Sequence, residues 1–281
     1  MFNSKKFTIL LIGSMLTAIC FGACNKKEQA PIEQQEQTIT ATEPTASNVV
    51  AVKTHMDENV TVRVTLPDYK NFKLTKVTDE GFRLYLADVL EGYYKYLPET
   101  DGETHEIDEA FATAMGYTSV DEYLVAAREE LNQMRYKQFL ADFISSNSNI
   151  DQLPAEELAI RTAQYADEQY AYAKYLAQST GTEIEVVMKK LTGYSEYSEL
   201  VGATNREMRE MLNYQYTLEA IFQKEKLTYS DELLKEAEES YVGGEYESIA
   251  EVEADKDLMV MLISNLKTSA AEEYLIENAL K

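Results

Sequence analysis

The spacing of apolar positions changes three times along the chain, and each change marks a different kind of element. A largely apolar run from Phe7 to Phe21 follows Lys5 and Lys6. From there to residue 58 the sequence is mostly polar, with Glu33-Gln34-Gln35-Glu36-Gln37 followed by a Thr/Ala/Pro run from Thr38 to Ser47. Val60, Val62, Val64 and Leu66 then alternate with Thr61, Arg63 and Thr65, the period of a half-buried strand. Pro67-Asp68-Tyr69-Lys70 predicts a turn, with Phe72 and Leu74 as a short second strand. From Thr78 to the end the period is helical. The fold class expected is mainly α, with paired helical arms and a short strand or hairpin near the N-terminus.

Four sequences of capping-box form divide the helical part: Ser119-x-x-Glu122, Thr182-x-x-Glu185, Thr204-x-x-Glu207 and Ser248-x-x-Glu251. Val120, Leu124, Ala127, Leu131 and Met134 recur at spacings of three and four, and Phe139, Leu140, Phe143 and Ile144 continue that helix to Ser145-Ser146-Asn147. Pro154, the last proline, stands where a helix should begin. Behind it Leu158, Tyr165, Tyr172 and Leu176 form one seam. Ala159, Ala163, Ala166, Ala173 and Ala177 lie mostly on another, where small side chains admit a close neighbour. Met208, Met211, Leu212, Leu218, Ile221 and Phe222 mark the helix expected from Thr204. The last helix, from Asp255, opens with six apolar residues, Leu258 to Ile263, and is expected to be buried. Narrow seams on long helices predict helical hairpins packed in pairs.

The N-terminal run has the charged, apolar and small-residue regions of a secretory signal peptide, and it falls short of the roughly 20 apolar residues of a membrane span. Phe21-Gly22-Ala23-Cys24 resembles the lipobox of bacterial lipoproteins. That resemblance implies that residues 1–23 are a signal peptide and that Cys24 is acylated, leaving the chain lipid-anchored on the extracytoplasmic side of the cell membrane. Residues 24–58 then read as a disordered tether, averaging about 30–35 Å end to end as a flexible coil. Cys24 would be the only cysteine left, and His55 and His105 fall in linker-like or loop-like sequence, which argues against a Cys/His metal site or a Cys–His nucleophile. Net charge is −23, and −25 once the two lysines of residues 1–23 are removed, a poor match for nucleic acid. Two or more acyl chains would supply the attachment that this charge cannot.

Three blocks beyond the tether resemble the C-terminal, SurA-like helical domain of trigger factor, the ribosome-associated bacterial chaperone. Glu106-Ile107-Asp108-Glu109-Ala110-Phe111-Ala112, then Gly116-Tyr117-Thr118-Ser119-Val120-Asp121-Glu122-Tyr123, is similar to that domain's entry. Leu153-Pro154-Ala155-Glu156-Glu157-Leu158 is similar to the start of its next arm helix. Thr217 to Leu227, followed by Tyr229-Ser230-Asp231-Glu232, resembles its later block, and Tyr274 to Ala279 its terminal helix. The resemblance spans 106–281, leaving 59–105 as a strand pair and linker helix. The family's ribosome-docking loop is missing: Gly81-Phe82-Arg83-Leu84-Tyr85 lacks its glycine and lysine and lies in a helical pattern. Asp68 to Leu74 and Val77 to Glu80 resemble the family's linker, yet the arms begin after only Leu97 to His105. That is too little chain for the FKBP-type prolyl isomerase domain.

The resemblance therefore implies a holdase that binds unfolded exported polypeptides in a helical cradle, with no ribosome, no nucleic acid and no cofactor. Tyrosine and methionine suit weak, adaptable apolar contact. The chain has 20 Tyr and no Trp. Tyr165, Tyr172, Tyr175, Met188, Tyr194, Met208 and Met211 are the candidate client-binding residues, against the alternative that they fill seams between helices. No enzyme is expected. Glu129/Glu130 and Glu238/Glu239 are adjacent on helices and point about 100° apart, so neither pair converges on one substrate atom, and no nucleotide loop, nucleophile elbow or metal motif is present. Competing readings are an adaptor lipoprotein holding one fixed partner and, more remotely, a prolyl isomerase-related foldase. Cys24→Ser is expected to abolish fatty-acid labelling of the chain in cells and to release it from the membrane fraction; labelling that survives the substitution would refute the lipobox.

Overall fold

The computed structural model describes residues 48–94, 106–244 and 246–281. The expected signal peptide, Cys24, most of the expected tether and His105 lie outside the described residues. The fold is mainly helical, with a small three-stranded antiparallel sheet near the N-terminal end, ordered β1-β2-β3. Strand β1 is Val49–Lys53, β2 is Thr61–Thr65 and β3 is Asn149–Ile150. The expected alternation holds at Val62, Val64 and Leu66, which are buried, but not at Val60, which is exposed just before β2. Two expectations are corrected. The partner of β2 precedes it, with Val50 opposite Val64 and Val52 opposite Val62, so the body begins at β1 inside the supposed tether. Phe72 and Leu74 form no strand: Phe72 stacks on Phe143 at 4.5 Å, and the Leu74 N–H donates to the Ala279 carbonyl at 3.0 Å.

Helix α1, Asp79–Tyr94, contains Gly81-Phe82-Arg83; Phe82 is buried there under the Arg128 guanidinium, 4.4 Å from its ring. Helix α2, Glu109–Ala114, is capped by Asp108, whose carboxylate accepts from the Phe111 N–H at 2.8 Å. In α3, Val120–Asn147, the Ser119 hydroxyl accepts from the Glu122 N–H. The first half of α3 packs with α1 and α2 in one apolar cluster around Phe111, Tyr123 and Ala127. Its second half, through Tyr136, Leu140, Phe143 and Ile144, enters the main core with the sheet.

Helices α4, Ala155–Thr180, and α6, Tyr197–Glu225, pack side by side, and α5, Ile184–Thr192, lies between them in sequence. Gly181 and Gly193 take the left-handed conformation that ends α4 and α5, at φ 66° and 83°. Near this end Ala166, Ala173 and Ala177 face Val187, Met188 and Leu200. The other halves of α4 and α6 run into the main core, so α4, about 39 Å long at 1.5 Å per residue, joins two apolar clusters as α3 does. The box expected at Thr204 is not a helix start. Glu199 already receives the Glu196 N–H at 3.3 Å, which starts α6 earlier and leaves Thr204 buried on the seam. Glu183, not Thr182, precedes α5.

Helices α7, Asp231–Glu239, and α8, Ile249–Ala254, lead to α9, Lys256–Ala279, capped by Asp255. Leu275, Ile276 and Ala279 complete the main core. The apolar run that opens α9 is not buried as expected: only Leu262 is, and Val260 is 37% exposed. Ala173→Leu, which puts a branched side chain into the fully buried α4–α6 seam, should destabilise the protein by about 1–3 kcal/mol. Denaturant unfolding checks this, with hydrogen exchange expected to accelerate first in α5.

Candidate functional site

The polar residue that organises the core is one that a linker would not contain. After β1 the chain turns tightly, the Thr54 hydroxyl donating to the Asp57 carbonyl at 2.7 Å. The turn drives His55 inward, leaving its side chain 8% exposed. Its ring stacks on Tyr216 of α6, centroids 4.5 Å apart and planes within 8°. Nδ1 lies 2.7 Å from Oε1 of Glu157 in α4, and Nε2 lies 3.0 Å from Oε1 of Glu219 in α6. Both glutamates are buried. Arg161 reaches Glu157 at 2.9 Å, and the Tyr216 hydroxyl donates to the second Glu157 oxygen at 2.5 Å. Ser264 of α9 donates to Glu219 and accepts from the Gln215 amide at 2.8 Å.

With a carboxylate at each ring nitrogen, the imidazole satisfies both only as the imidazolium, which donates twice. Burial alone would lower its pKa, but the hydrogen bonds to Glu157 and Glu219 outweigh it, and the pKa is raised above 6.5. Burial likewise opposes ionisation of Glu157. The hydrogen bonds from His55 and Tyr216 win, so its pKa is lowered. Tyr216, buried beside Glu157, is pushed up and stays a neutral donor.

Ser264 Oγ is also 3.3 Å from His55 Nε2, with Glu157 behind Nδ1, which is the order of a Ser–His–Glu hydrolase triad. As placed, these residues do not make a reacting centre. Ser264 is 2% exposed and its proton is directed to Glu219, and an imidazolium has no lone pair to accept it. The constellation clamps the β1–β2 turn to α4, α6 and α9. Among the described residues no group of three His, Cys, Asp or Glu side chains is placed to hold a metal, and no helix is long and apolar enough to cross a membrane.

The candidate client-binding residues separate into three groups. Tyr172 and Tyr175 project from α4 and are 53% and 65% exposed. Tyr165 and Met211 are half-buried against the main core, and Tyr194 is half-buried against the cluster of Ala173 and Met188. Met188 and Met208 are buried and are corrected: Met188 fills the space left by the alanine seam, and Met208 lies one turn from Leu212, on the face of α6 turned to the core. The arm also exposes Val186 and Leu191 on α5, residues the tyrosine and methionine pattern did not single out, and α3 exposes Val125, Met134 and Phe139. Comparison with family models finds no match, and neither curated proteins nor solved structures yield one.

Replacing His55 with Ala leaves two buried carboxylates without the cation between them. The expected loss is about 3–5 kcal/mol, the range for breaking a buried ion pair, read by urea unfolding at neutral pH. In the native protein the His55 contribution is full below the unfolded pKa near 6.5 and is lost as pH rises through the raised folded value. Glu157, lowered on folding, has the opposite dependence: its share is present above the ordinary carboxylate range and disappears as pH falls through its folded pKa. In His55→Ala the alkaline decline assigned to this residue should vanish.

Proposed function

We propose that this protein is a lipid-anchored, extracytoplasmic holdase that binds unfolded exported polypeptides on its helical arms. The observation that carries this reading is the exposure of large apolar side chains on separate elements. Tyr172 and Tyr175 stand on α4, Val186 and Leu191 on α5, and Val125, at 73% exposure, on α3. Isolated surface apolar residues are ordinary. Here they sit on elements that already bury their own seams, so intramolecular packing does not account for them. Several weak sites that one unfolded chain can touch together give useful avidity without a deep pocket. The half-covered opening of α9, with Met259 and Met261, adds an adaptable surface of the same kind.

The likeness to the trigger factor C-terminal domain and the lipobox at Cys24 supply the rest of the reading: arms for binding, and an anchor where exported chains emerge. The net charge of −23 favours neutral or basic clients and keeps the exposed apolar groups soluble.

The test is aggregation of a reduced, unfolding client, followed by light scattering with the purified protein in several-fold molar excess. Suppression is expected, and none would overturn the reading. The double variant Tyr172→Ser/Tyr175→Ser should require severalfold more protein for equal suppression while its melting temperature stays within about 2 °C of native, as exposed substitutions are near neutral for stability.

A further inference from the structure

One cavity, of about 530 Å3, opens where the β3–α4 connection meets α6. Its apolar wall is Ile150, Leu153 and Leu158, with Ala159 beside them. Leu158 is buried and the other two pack on the main core, so the wall is fixed by the fold. Arg209, exposed on α6, also lines it. Its Nε–H donates to Asn205 Oδ1 at 3.1 Å, and the Asn205 amide in turn donates to the buried Thr162 hydroxyl at 3.3 Å. The guanidinium is thus steered by a relay to the interior while the rest of its donor fork stays open. Among the described residues it has no carboxylate partner, in a chain where acidic residues outnumber basic ones 49 to 26. Asp151, the acid at the cavity, faces Arg63 at 3.8 Å.

We propose that this cavity is a binding site for the C-terminus of a polypeptide, with an apolar last side chain against Ile150, Leu153 and Leu158 and the terminal carboxylate on Arg209. An arginine fork matches a carboxylate with two parallel hydrogen bonds, and its planar donors are already oriented by Asn205. The remaining lining favours a peptide over a fatty acid of the same headgroup. Asp151, Gln152 and Asn205 make much of the lining polar, and the cavity is open, where an acyl chain needs an enclosed apolar channel. The site rests on the polypeptide-binding reading above and sharpens it: chain ends, and apolar carboxyl ends in particular, are preferred clients.

The test is fluorescence anisotropy of the purified full-length protein with a fluorescein-labelled hexapeptide ending in Leu, prepared once with a free carboxylate and once as the amide. The free acid should bind at least tenfold more tightly than the amide, and Arg209→Gln should erase that preference. Ala159→Trp, which fills the cavity from an exposed helix position, should abolish binding of the acid. Circular dichroism melting should be unchanged in both variants. Equal binding of acid and amide, an unaltered preference in Arg209→Gln, or binding of laurate in place of the peptide would each overturn the site. Suppression of client aggregation, measured on the same preparations, is independent of this outcome: if it persists while the acid preference is absent, the terminal-carboxylate site is wrong and the holdase reading stands.

Discussion

The imidazolium of His55, held between Glu157 and Glu219, is the interaction on which the rest of the structure depends. Two carboxylates on neighbouring helices, both out of water, would repel and would each carry a large desolvation penalty. One cation with two donors, placed between them, turns the repulsion into the reason α4 and α6 stay paired at that level. The cation comes from the segment that enters the body first. The small sheet is thereby locked to α4, α6 and α9 through the turn that Thr54 and Val60 close.

The same segment is fastened twice more. Tyr69 donates to Glu225 at 2.5 Å, Tyr274 donates to the other oxygen of that carboxylate at 3.0 Å, and Lys70 stands 3.4 Å away. Farther on, the Leu74 N–H closes onto the end of α9. Glu272 on α9 is held in a similar way by Lys137 of α3 and Tyr214 of α6. Each of these glutamates, Glu225 half-buried and Glu272 buried, thus joins elements far apart in sequence. Leaving any one unmatched costs more than a lost surface pair, so these contacts fix which helices meet as well as how tightly.

Much of the helical architecture was legible because it depends on local rules. Ser119, Pro154, Ser248 and Asp255 stand at helix starts, and Ala166, Ala173 and Ala177 pack on one seam, whereas Ala159 and Ala163 of the same expected stripe are exposed. The failures have two physical causes, a competing helix start nearby and partners distant in sequence. Thr204 has capping-box form, but the earlier Glu196–Glu199 start had already made that stretch interior helix. Val49–Lys53 follows a Thr/Ala/Pro run and is held by pairing with β2 and packing on α6, partners that composition cannot show. His55 was missed for the same reason: its carboxylates lie 102 and 164 residues away. Methionine and tyrosine content says which side chains suit apolar contact, but burial is decided by the facing helix, so Met188 and Met208 went to the core while Tyr172 and Tyr175 did not.

This arrangement separates two demands that oppose each other in a single chain. A surface that grips varied unfolded segments needs apolar side chains left uncovered, and a stable body needs them covered. On the holdase reading, the arm of α4, α5 and α6 would meet both by using alanine for part of the seam, where close backbones supply dispersion contact with little side-chain volume. Its larger apolar groups, among them Tyr172, Tyr175, Val186 and Leu191, are then free of structural duty. Such a thin seam gives the arm little stability of its own, and it relies on the roots of α4 and α6 being held rigidly. That is where Glu157 and Glu219 lie, bridged by a residue from the end of the body that leads toward the proposed anchor. On the holdase reading, tension from the membrane tether would enter the hub through β1 and His55, leaving the gripping surface free to adapt.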